Sequence, residues 1–388
     1  MTRPRIAAVT TSRADFGIYR SVLAALSRSG ELDYGLLASG MHLSPEFGMT
    51  LSMVRESGHP IWDCIEGLVS SDSDVGTAKS MGLTTLGFAD SLGRLRPDLV
   101  LVLGDRFEMH AAALAAVPMG IPIAHIHGGE ETEGAIDNAL RHSLTKLASL
   151  HFPATALSAR RIRAMGEPEE RVIIAGAPAL DGLAGFKRLS REELAARFGL
   201  PADGPYILAT YHPVTLDPKA SRAELEALWA ALEGDSSAVV FTKANADAVG
   251  RAVNARLDEM AASSERMTLV GTMGAEGYFS AMAHAELMIG NSSSGIIEAA
   301  SFGLPVINIG DRQKGRERSA NTIDTPGTEP AIRAALQTAR SQAFHEQARS
   351  ANNVYGQGDA GERITQEIAR FLKGAGSARK RFVLEGGA

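Results

Sequence analysis

Glu286-Leu-Met-Ile-Gly-Asn-Ser-Ser-Ser-Gly-Ile-Ile-Glu298 is the stretch on which the reading of the fold turns. Leu287 to Ile289 is a short apolar run of the kind a buried parallel strand uses. Gly290 interrupts it, and Asn291 with three serines offers N-cap side chains for a helix expected from about Gly295 to Phe302. A strand that gives way to a helix through Gly-Asn-Ser-Ser aims free backbone N–H groups at one point. The helix dipole and the hydroxyls of Ser292 and Ser293 add to this, and the sum favours an anion, most often phosphate. Glu298 lies four residues past Ser294, on the same helix face and about one turn (~5–6 Å) away. A carboxylate there would accept hydrogen bonds from ribose hydroxyls, so the stretch reads as a nucleoside diphosphate site. The plain alternative is a capped helix that binds nothing, although capping needs one or two such side chains rather than four followed by glycine.

The chain around this stretch has 388 residues, for which two domains are the expected count. It is 45% hydrophobic and 22% charged with a net charge of −6, which argues against nucleic acid or acidic membranes as partners. The single cysteine, Cys64, excludes an internal disulfide framework and fits a reducing cytoplasm. Ile6 to Val9 is too short an apolar run for a signal peptide, and no stretch reaches the ~18–20 apolar residues of a membrane span. A soluble cytoplasmic protein is expected.

Strands are expected at Ile6–Thr10, Leu32–Ser39, Leu99–Leu103, Gly120–His125 and Val172–Ala175. Helices are expected at Ile18–Ser29, Pro45–Glu56, Lys79–Leu95 and Ala135–Leu150. Further on, a helix starts at Ser190-Arg-Glu-Glu. Strands at Tyr206–Thr210, Ala238–Thr242 and Met267–Val270 then alternate with helices at Ala223–Leu232, Asn245–Ser263 and Gly277–His284. Phe344–Asn352 and Asp359–Lys373 read as helical, and Gly374 onward as a frayed basic tail. Such alternation indicates βαβ units and parallel sheets. Leu101-Val-Leu-Gly-Asp-Arg106 running to Gly120-Ile-Pro-Ile-Ala-His125 resembles Leu287-Met-Ile-Gly-Asn-Ser292 running to Gly303-Leu-Pro-Val-Ile-Asn308. Either any two βαβ units look alike, or the chain holds two domains of one architecture. The second reading gives domains 1–182 and 183–373, the last helix free to pack back on the first domain, and a tail 374–388.

Ligands of open α/β sheets lie beyond the carboxyl ends of the strands. The residues collected there are Arg13, Asp15, His42, Asp105, Arg106, His125, His127, Glu130, His212, Asn245 and Ser292 to Ser294. Neither Gly-x-Gly-x-x-Gly after the first strand nor a Walker A loop is present, which disfavours dinucleotide cofactors. Two Rossmann-like, doubly wound α/β domains facing a central cleft, the glycosyltransferase-B arrangement, are therefore expected.

Asp105 closes an apolar strand, where partial burial would raise its pKa toward acid/base use; the alternative is an Asp capping the next helix. His125 and His127 alternate along one strand end and should point the same way, with Glu130 three residues on. Glu130 could complete a metal site with them, although the glycines between leave that geometry open. Asp137 and Arg141, four apart on one helix, share a face, as an ordinary surface ion pair would. His212 fits a surface turn as well as a ligand site. Arg13, Arg106 and Arg316 are candidate phosphate clamps, while Lys314 and Arg318 read as solvated charges.

Several segments in order resemble the hydrolysing UDP-N-acetylglucosamine 2-epimerases. They are Thr11-Ser-Arg-Ala-Asp-Phe-Gly17, Gly40-Met-His42, Leu103-Gly-Asp-Arg106, His125-Ile-His-Gly-Gly-Glu130 and Gly134-Ala-Ile-Asp-Asn138. Arg141-His-Ser-Leu-Thr-Lys146, His212-Pro-Val-Thr215, Gly290-Asn-Ser-Ser293 and Gly310-Asp-Arg-Gln-Lys-Gly-Arg-Glu317 complete the set. The resemblance implies elimination of UDP from UDP-N-acetylglucosamine, then addition of water to give N-acetylmannosamine. It implies no cofactor and no metal. A related branch acts on UDP-2,4-diacetamido-2,4,6-trideoxyglucose and feeds legionaminic acid synthesis. By resemblance Asp137 touches the sugar or water, Arg141 holds it ionised, and His212 meets the diphosphate. Some relatives carry a catalytic Glu at the position of His127, so His127 and Glu130 both stand as candidates for its work. A homo-oligomer, dimer or tetramer, is expected. Alternatives are a glycosyltransferase on the same scaffold and a non-catalytic UDP-sugar sensor.

Overall fold

The computed structural model describes residues 3–69, 71, 73–131, 136–183, 185–213, 218–243, 248–271, 273–374 and 376–384. The chain divides into two compact units, residues 1–182 with 355–388, and residues 183–354. Residues 355–373, assigned from sequence to the second domain with the last helix free to pack back, group with the first unit.

The first unit contains β1 (Arg5–Thr10), α1 (Arg13–Arg28), β2 (Asp33–Ser39), α2 (Leu51–Glu56), β3 (Ile61–Ile65) and α3 (Asp74–Leu95). It continues with β4 (Leu99–Leu103), α4 (Phe107–Ala116), β5 (Ile123–Ile126), α5 (Ile136–Leu147), β6 (Leu150–Phe152) and α6 (Ala156–Ala164). The second unit runs through α7 (Arg191–Phe198), β7 (Tyr206–Thr210), α8 (Pro218–Glu233), β8 (Ala238–Thr242), α9 (Ala248–Ala262) and β9 (Met267–Val270). It is completed by α10 (Gly274–His284), β10 (Leu287–Gly290), α11 (Ser293–Ile297), β11 (Val306–Ile309), β12 (Thr322–Thr325), α12 (Glu329–Ala339) and α13 (Gln342–Ser350). The last helix, α14 (Ala360–Lys373), returns to the first unit and packs on α1.

Each unit is a six-stranded parallel sheet, ordered β3-β2-β1-β4-β5-β6 in one and β12-β11-β10-β7-β8-β9 in the other. Read from its opposite edge, the second order repeats the first. The repeat found in the sequence falls on equivalent strands, β4 to β5 and β10 to β11. Central strands covered on both faces need apolar side chains throughout. Leu99-Val-Leu-Val-Leu103 meets this need, with all five residues buried. In both sheets the order reverses beside the first strand, at β1/β4 and β7/β10, which is where ligands of doubly wound sheets sit.

Several expectations are corrected. α1 begins at Arg13, not Ile18, because Ser12 caps it by accepting from the Asp15 N–H, so the supposed loop is the helix's first turn. The helix expected over residues 45–56 is broken by Gly48 and Met49, both at positive φ, and only Leu51–Glu56 is α-helical. Val172–Ala175 contributes a single bridge to His151 instead of a strand. β3, β6, β12 and α12 were not expected. The helix after Gly290 is split: α11 has five residues, and Ala299–Phe302 continues as a 3₁₀ turn. The tail is not frayed over residues 376–384. Lys380 Nζ lies 2.8 Å from both carboxylate oxygens of Glu167 and 2.7 Å from the carbonyls of Lys146 and Ala148, so it caps the end of α5. No helix among the described residues is long and apolar enough to cross a membrane.

Candidate active site

The β1/β4/β5 strand ends of the first unit gather most of the residues singled out there. After β1, Asp15 is buried, and its carboxylate accepts from the hydroxyls of Thr10, Thr11 and Ser12 at 2.6–2.8 Å and from the Thr11 N–H. A carboxylate so fully engaged fixes the turn between strand and helix. His42 is held in the same way. Its Nε2 meets Thr10 Oγ1 at 3.0 Å and its Nδ1 meets Thr50 Oγ1 at 2.7 Å. Burial keeps the ring on the neutral side of its usual range. Both residues therefore act as supports. Arg13, at the first position of α1, is exposed.

After β4, Asp105 is ion-paired to Nη2 of Arg141, and the other Arg141 nitrogen donates to Glu130 O at 2.9 Å. The Asp105 side chain is 26% exposed while that of Arg141 is 4% exposed, so a buried guanidinium presents a carboxylate that still reaches solvent. The Asp105 charge is balanced by a fixed cation. Arg141 comes from α5, where Asp137 sits in the exposed first turn. Arg106 forks onto Glu108 at 2.9 and 3.2 Å. Burial opposes its charge, but Glu108 prevails, with smaller help from Asp15 and Asp137, and raises its pKa. Glu108 is wholly buried, and a Cβ on Gly40 would lie 2.4 Å from its Oε1. That close approach requires glycine. The sequence reading passed over Glu108, although its place two residues after Arg106 was a usable signal.

The two histidines do not point the same way. β5 ends at Ile126, and His127 enters the left-handed region at φ 62°, so the two-residue alternation stops between them. His125 turns inward, with Nε2 2.7 Å from Gly104 O and Nδ1 3.3 Å from Thr145 Oγ1, and burial lowers its pKa to about 3. It is a neutral structural residue. His127 instead places Nδ1 2.5 Å from Glu130 Oε1, both side chains being nearly buried. A non-glycine residue held at positive φ beside a carboxylate is the kind of strain that functional sites retain. Among the described residues no cluster of His, Cys, Asp and Glu is arranged to hold a metal ion.

In the second unit, β7 and β10 end side by side. Gly290, at φ 133°, leaves no room for a Cβ, which would fall on Thr210 O. Asn291 is buried, and both ends of its amide hold the His212 backbone, accepting from its N–H and donating to its carbonyl at 2.7 Å each. Arg312 and Gln313 donate to Asn291 O at 2.9 Å each. Asn291 thus braces the end of β7 against the end of β10. Ser292 caps α11, whose five residues supply only a weak dipole compared with the longer helix expected. Ser293 opens that helix and is partly exposed. Arg318 is not solvated: it pairs with Asp324 at 3.1 Å and donates to Gln313 O at 2.8 Å. Asn245 lies outside the described residues.

Glu298 is the outlier. Its Oε2 is buried without a hydrogen-bond partner among the described residues. Burial lifts its pKa to about 7, against hydrogen bonds from its own N–H and Ser294 and the charge of Arg316. It borders a cavity of about 330 Å³ with Thr242, Val270, Met273, Tyr278, Phe279 and Ser294. Tyr278 comes from α10 and Met273 from its cap, just past the end of β9, and nothing in the sequence marked them.

A family described as UDP-N-acetylglucosamine 2-epimerase matches residues 24–369. The chain is 38% identical over 327 residues to the GDP/UDP-N,N'-diacetylbacillosamine 2-epimerase (hydrolyzing) of Campylobacter jejuni, covering 84% of this chain and 85% of that protein. It is 35% identical over 362 residues to the UDP-N,N'-diacetylbacillosamine 2-epimerase (hydrolyzing) of Legionella pneumophila, covering 93% and 94%. Its fold resembles that of the Neisseria meningitidis UDP-GlcNAc 2-epimerase bound to UDP-GlcNAc, with a TM-score of 0.75 at 18% identity over 94% of this chain and 100% of that one. The chain belongs to the UDP-N-acetylglucosamine 2-epimerase family and, within it, to the hydrolysing 2-epimerases.

Proposed function

We propose that this hydrolysing 2-epimerase acts on UDP-2,4-diacetamido-2,4,6-trideoxyglucose, releasing UDP and the 2-epimeric sugar. The support is relative identity: 38% and 35% to proteins named for the diacetamido sugar, against 29% to the UDP-N-acetylglucosamine 2-epimerase of Neisseria meningitidis. The second reading, UDP-N-acetylglucosamine converted to N-acetylmannosamine and UDP, rests on the description of the family.

In the first step a base takes the C2 proton as the C1–O bond breaks, and UDP leaves with the bonding pair. Water then adds its oxygen to C1 of the glycal, and a proton returns to C2 from the other face. Carbon acids are weak, so the base must be well placed and poorly solvated. Asp105, carried by buried Arg141, and the His127–Glu130 pair are the groups we assign to these transfers, with Asp137 touching sugar or water. Arg13 and Arg106 are assigned to anionic or sugar groups of the substrate. In the second unit Glu298 is assigned to the ribose hydroxyls, which would give its idle oxygen its missing donors. The 330 Å³ cavity beside it suits the nucleobase. Ser292, Ser293, Arg316 and His212 are assigned to the diphosphate, where donors stabilise the departing charge. We further propose a homo-oligomer acting in the cytoplasm and supplying a legionaminic- or sialic-type acid sugar pathway.

The observation that carries the chemistry is the Asp105–Arg141 pair at the point where the sheet order reverses. Parallel assays with the UDP and GDP forms of the diacetamido sugar and with UDP-N-acetylglucosamine test the substrate. A kcat/KM at least roughly tenfold higher for the UDP-diacetamido sugar is expected; equal or higher values for UDP-N-acetylglucosamine would favour the second reading. Asp105→Asn should lower kcat by about 10²–10⁴ while UDP binding persists.

A further inference from the structure

α5 reaches Asp105 by two routes. Arg141 pairs with it directly and donates to Glu130 O at 2.9 Å. Four residues on, Thr145 Oγ1 lies 3.3 Å from His125 Nδ1, and the neutral ring donates through Nε2 to Gly104 O at 2.7 Å. Gly104 immediately precedes Asp105. Asp137, Arg141 and Thr145 recur at steps of four and share one helix face. Whatever fixes α5 along its axis therefore fixes the group assigned to proton transfer. The far end of the helix is held from a distance. The last carbonyls of a helix have no partner inside it, and water or a glycine turn ordinarily satisfies them. Here Lys380, from 234 and 232 residues away, donates to Lys146 O and Ala148 O at 2.7 Å each. The same Nζ meets both oxygens of Glu167 at 2.8 Å, and Glu167, its side chain fully buried, meets His151 of β6 at 3.0 Å. Val383 seats the segment by donating its N–H to Gly166 O at 3.0 Å. A single ammonium thus ties α5 to β6, and β6 pairs with β5, which pairs with β4.

We propose that Lys380 is a positioning residue for the reaction. It sets where α5 stands against the sheet and, through Arg141 and Thr145, where Asp105 stands, without touching the reacting atoms. The inference rests on the assignment of Asp105 to proton transfer. A cap alone needs only the two carbonyls. The added bond to Glu167, itself anchored on β6, makes the contact a strut between helix and sheet. Lys146 ties the same helix to Glu167 at 2.5 Å through a side chain that is 38% exposed, whereas Lys380, 17% exposed, grips the backbone itself. Arg141 stands five residues from Lys146, about 7.5 Å along the axis, so a hydrogen-bonded helix carries a shift at one end to the other. A displacement of about 1 Å at a reacting group can cost roughly 10²-fold in rate.

Steady-state turnover of whichever UDP-sugar the full chain converts faster, with calorimetric UDP titration as the fold control, decides this. In Lys380→Met, kcat and kcat/KM should fall together by roughly 10–100-fold, while UDP affinity and stoichiometry stay at wild-type values. Lys380→Arg, which keeps the charge and the donors, should recover most of the loss. A residue that only stabilised the fold would lower the urea midpoint and leave kcat per UDP-binding site unchanged, and that result overturns the proposal. So does a loss carried by KM alone, or a Lys380→Arg variant no better than Lys380→Met. If the Met variant fails to bind UDP, Lys380→Gln, which keeps donors without charge, takes its place with the same fall expected. Asp105→Asn, assayed beside them, separates the two claims. If it is inactive while Lys380→Met turns over normally, only the positioning role falls. If it stays active, the assignment of Asp105 falls and takes this inference with it.

Discussion

Glu167 in the first unit and Glu298 in the second are both withdrawn from water, yet they finish on opposite sides of the usual carboxylate range. Burial pushes Glu167 up, but hydrogen bonds from His151 at 3.0 Å, Lys146 at 2.5 Å and Lys380 at 2.8 Å outweigh it and hold it at about 2. Glu298 has fewer donors to set against burial and stays near 7. The first has every acceptor engaged and locks the C-terminal segment to α5, the helix that carries Asp137 and Arg141. The second keeps an idle buried oxygen, a cost that a folded chain tolerates where a ligand supplies the donor. Hydrogen-bond completeness separates a fastening from a binding group.

The comparison breaks first at Glu167. Glu167→Gln would leave Lys380 and Lys146 without their carboxylate, and losing one partner of a buried pair costs about 3–5 kcal/mol. Urea unfolding at pH 7 should register that loss; a change under about 1 kcal/mol would mean the clasp is ornamental. Because its folded pKa lies below the unfolded one, the stability from Glu167 is present above about pH 4.5 and fades as pH falls toward 2.

Next in size is ligand binding at Glu298. Glu298→Gln should weaken UDP binding by about 10–100-fold, the value of charged hydrogen bonds to hydroxyls, in calorimetric titration at pH 8. Undiminished affinity would remove Glu298 from the nucleotide site. The stability effect should have the opposite sign. A carboxyl whose folded pKa is raised binds more protons folded than unfolded, so stability falls as pH rises from about 4.5 to 7. At about 1.4 kcal/mol per unit, Glu298→Gln should gain on the order of 1–3 kcal/mol at pH 8 and flatten this slope, read from urea midpoints between pH 5 and 8. A slope identical to wild type would contradict the assignment. The smallest effect belongs to Lys314, exposed at the surface: Lys314→Ala should change stability by less than about 0.5 kcal/mol, whereas Arg318→Ala, which takes the cation from Asp324 and leaves it only the Asn308 amide, should exceed it.

The central strands were legible because strands covered on both faces are unbroken apolar runs. Leu99–Leu103, Tyr206–Thr210 and Ala238–Thr242 carry the bounds read from sequence. Three of the four edge strands were not, since Ile61-Trp-Asp-Cys-Ile65 and Thr322-Ile-Asp-Thr325 mix polar and apolar residues and β6 has only three residues. In the site, spacing brought out Asp105, Glu130 and Arg141, which do converge. Spacing misled where the backbone left its regular path: His127 at positive φ parts from His125, and the capped start of α1 turns Asp15 into a support. Tyr278 contributes through a contact between distant segments, with Thr210, which no local pattern encodes. Lys380 was read as a loose charge because its partner Glu167 lies more than two hundred residues away.

The most direct test is incubation of the protein alone with the UDP-diacetamido sugar in deuterated water. The account predicts free UDP and a 2-epimeric sugar carrying deuterium at C2, both lost in Asp105→Asn. UDP release only on adding an acceptor, or an epimer that keeps its C2 proton, would contradict it.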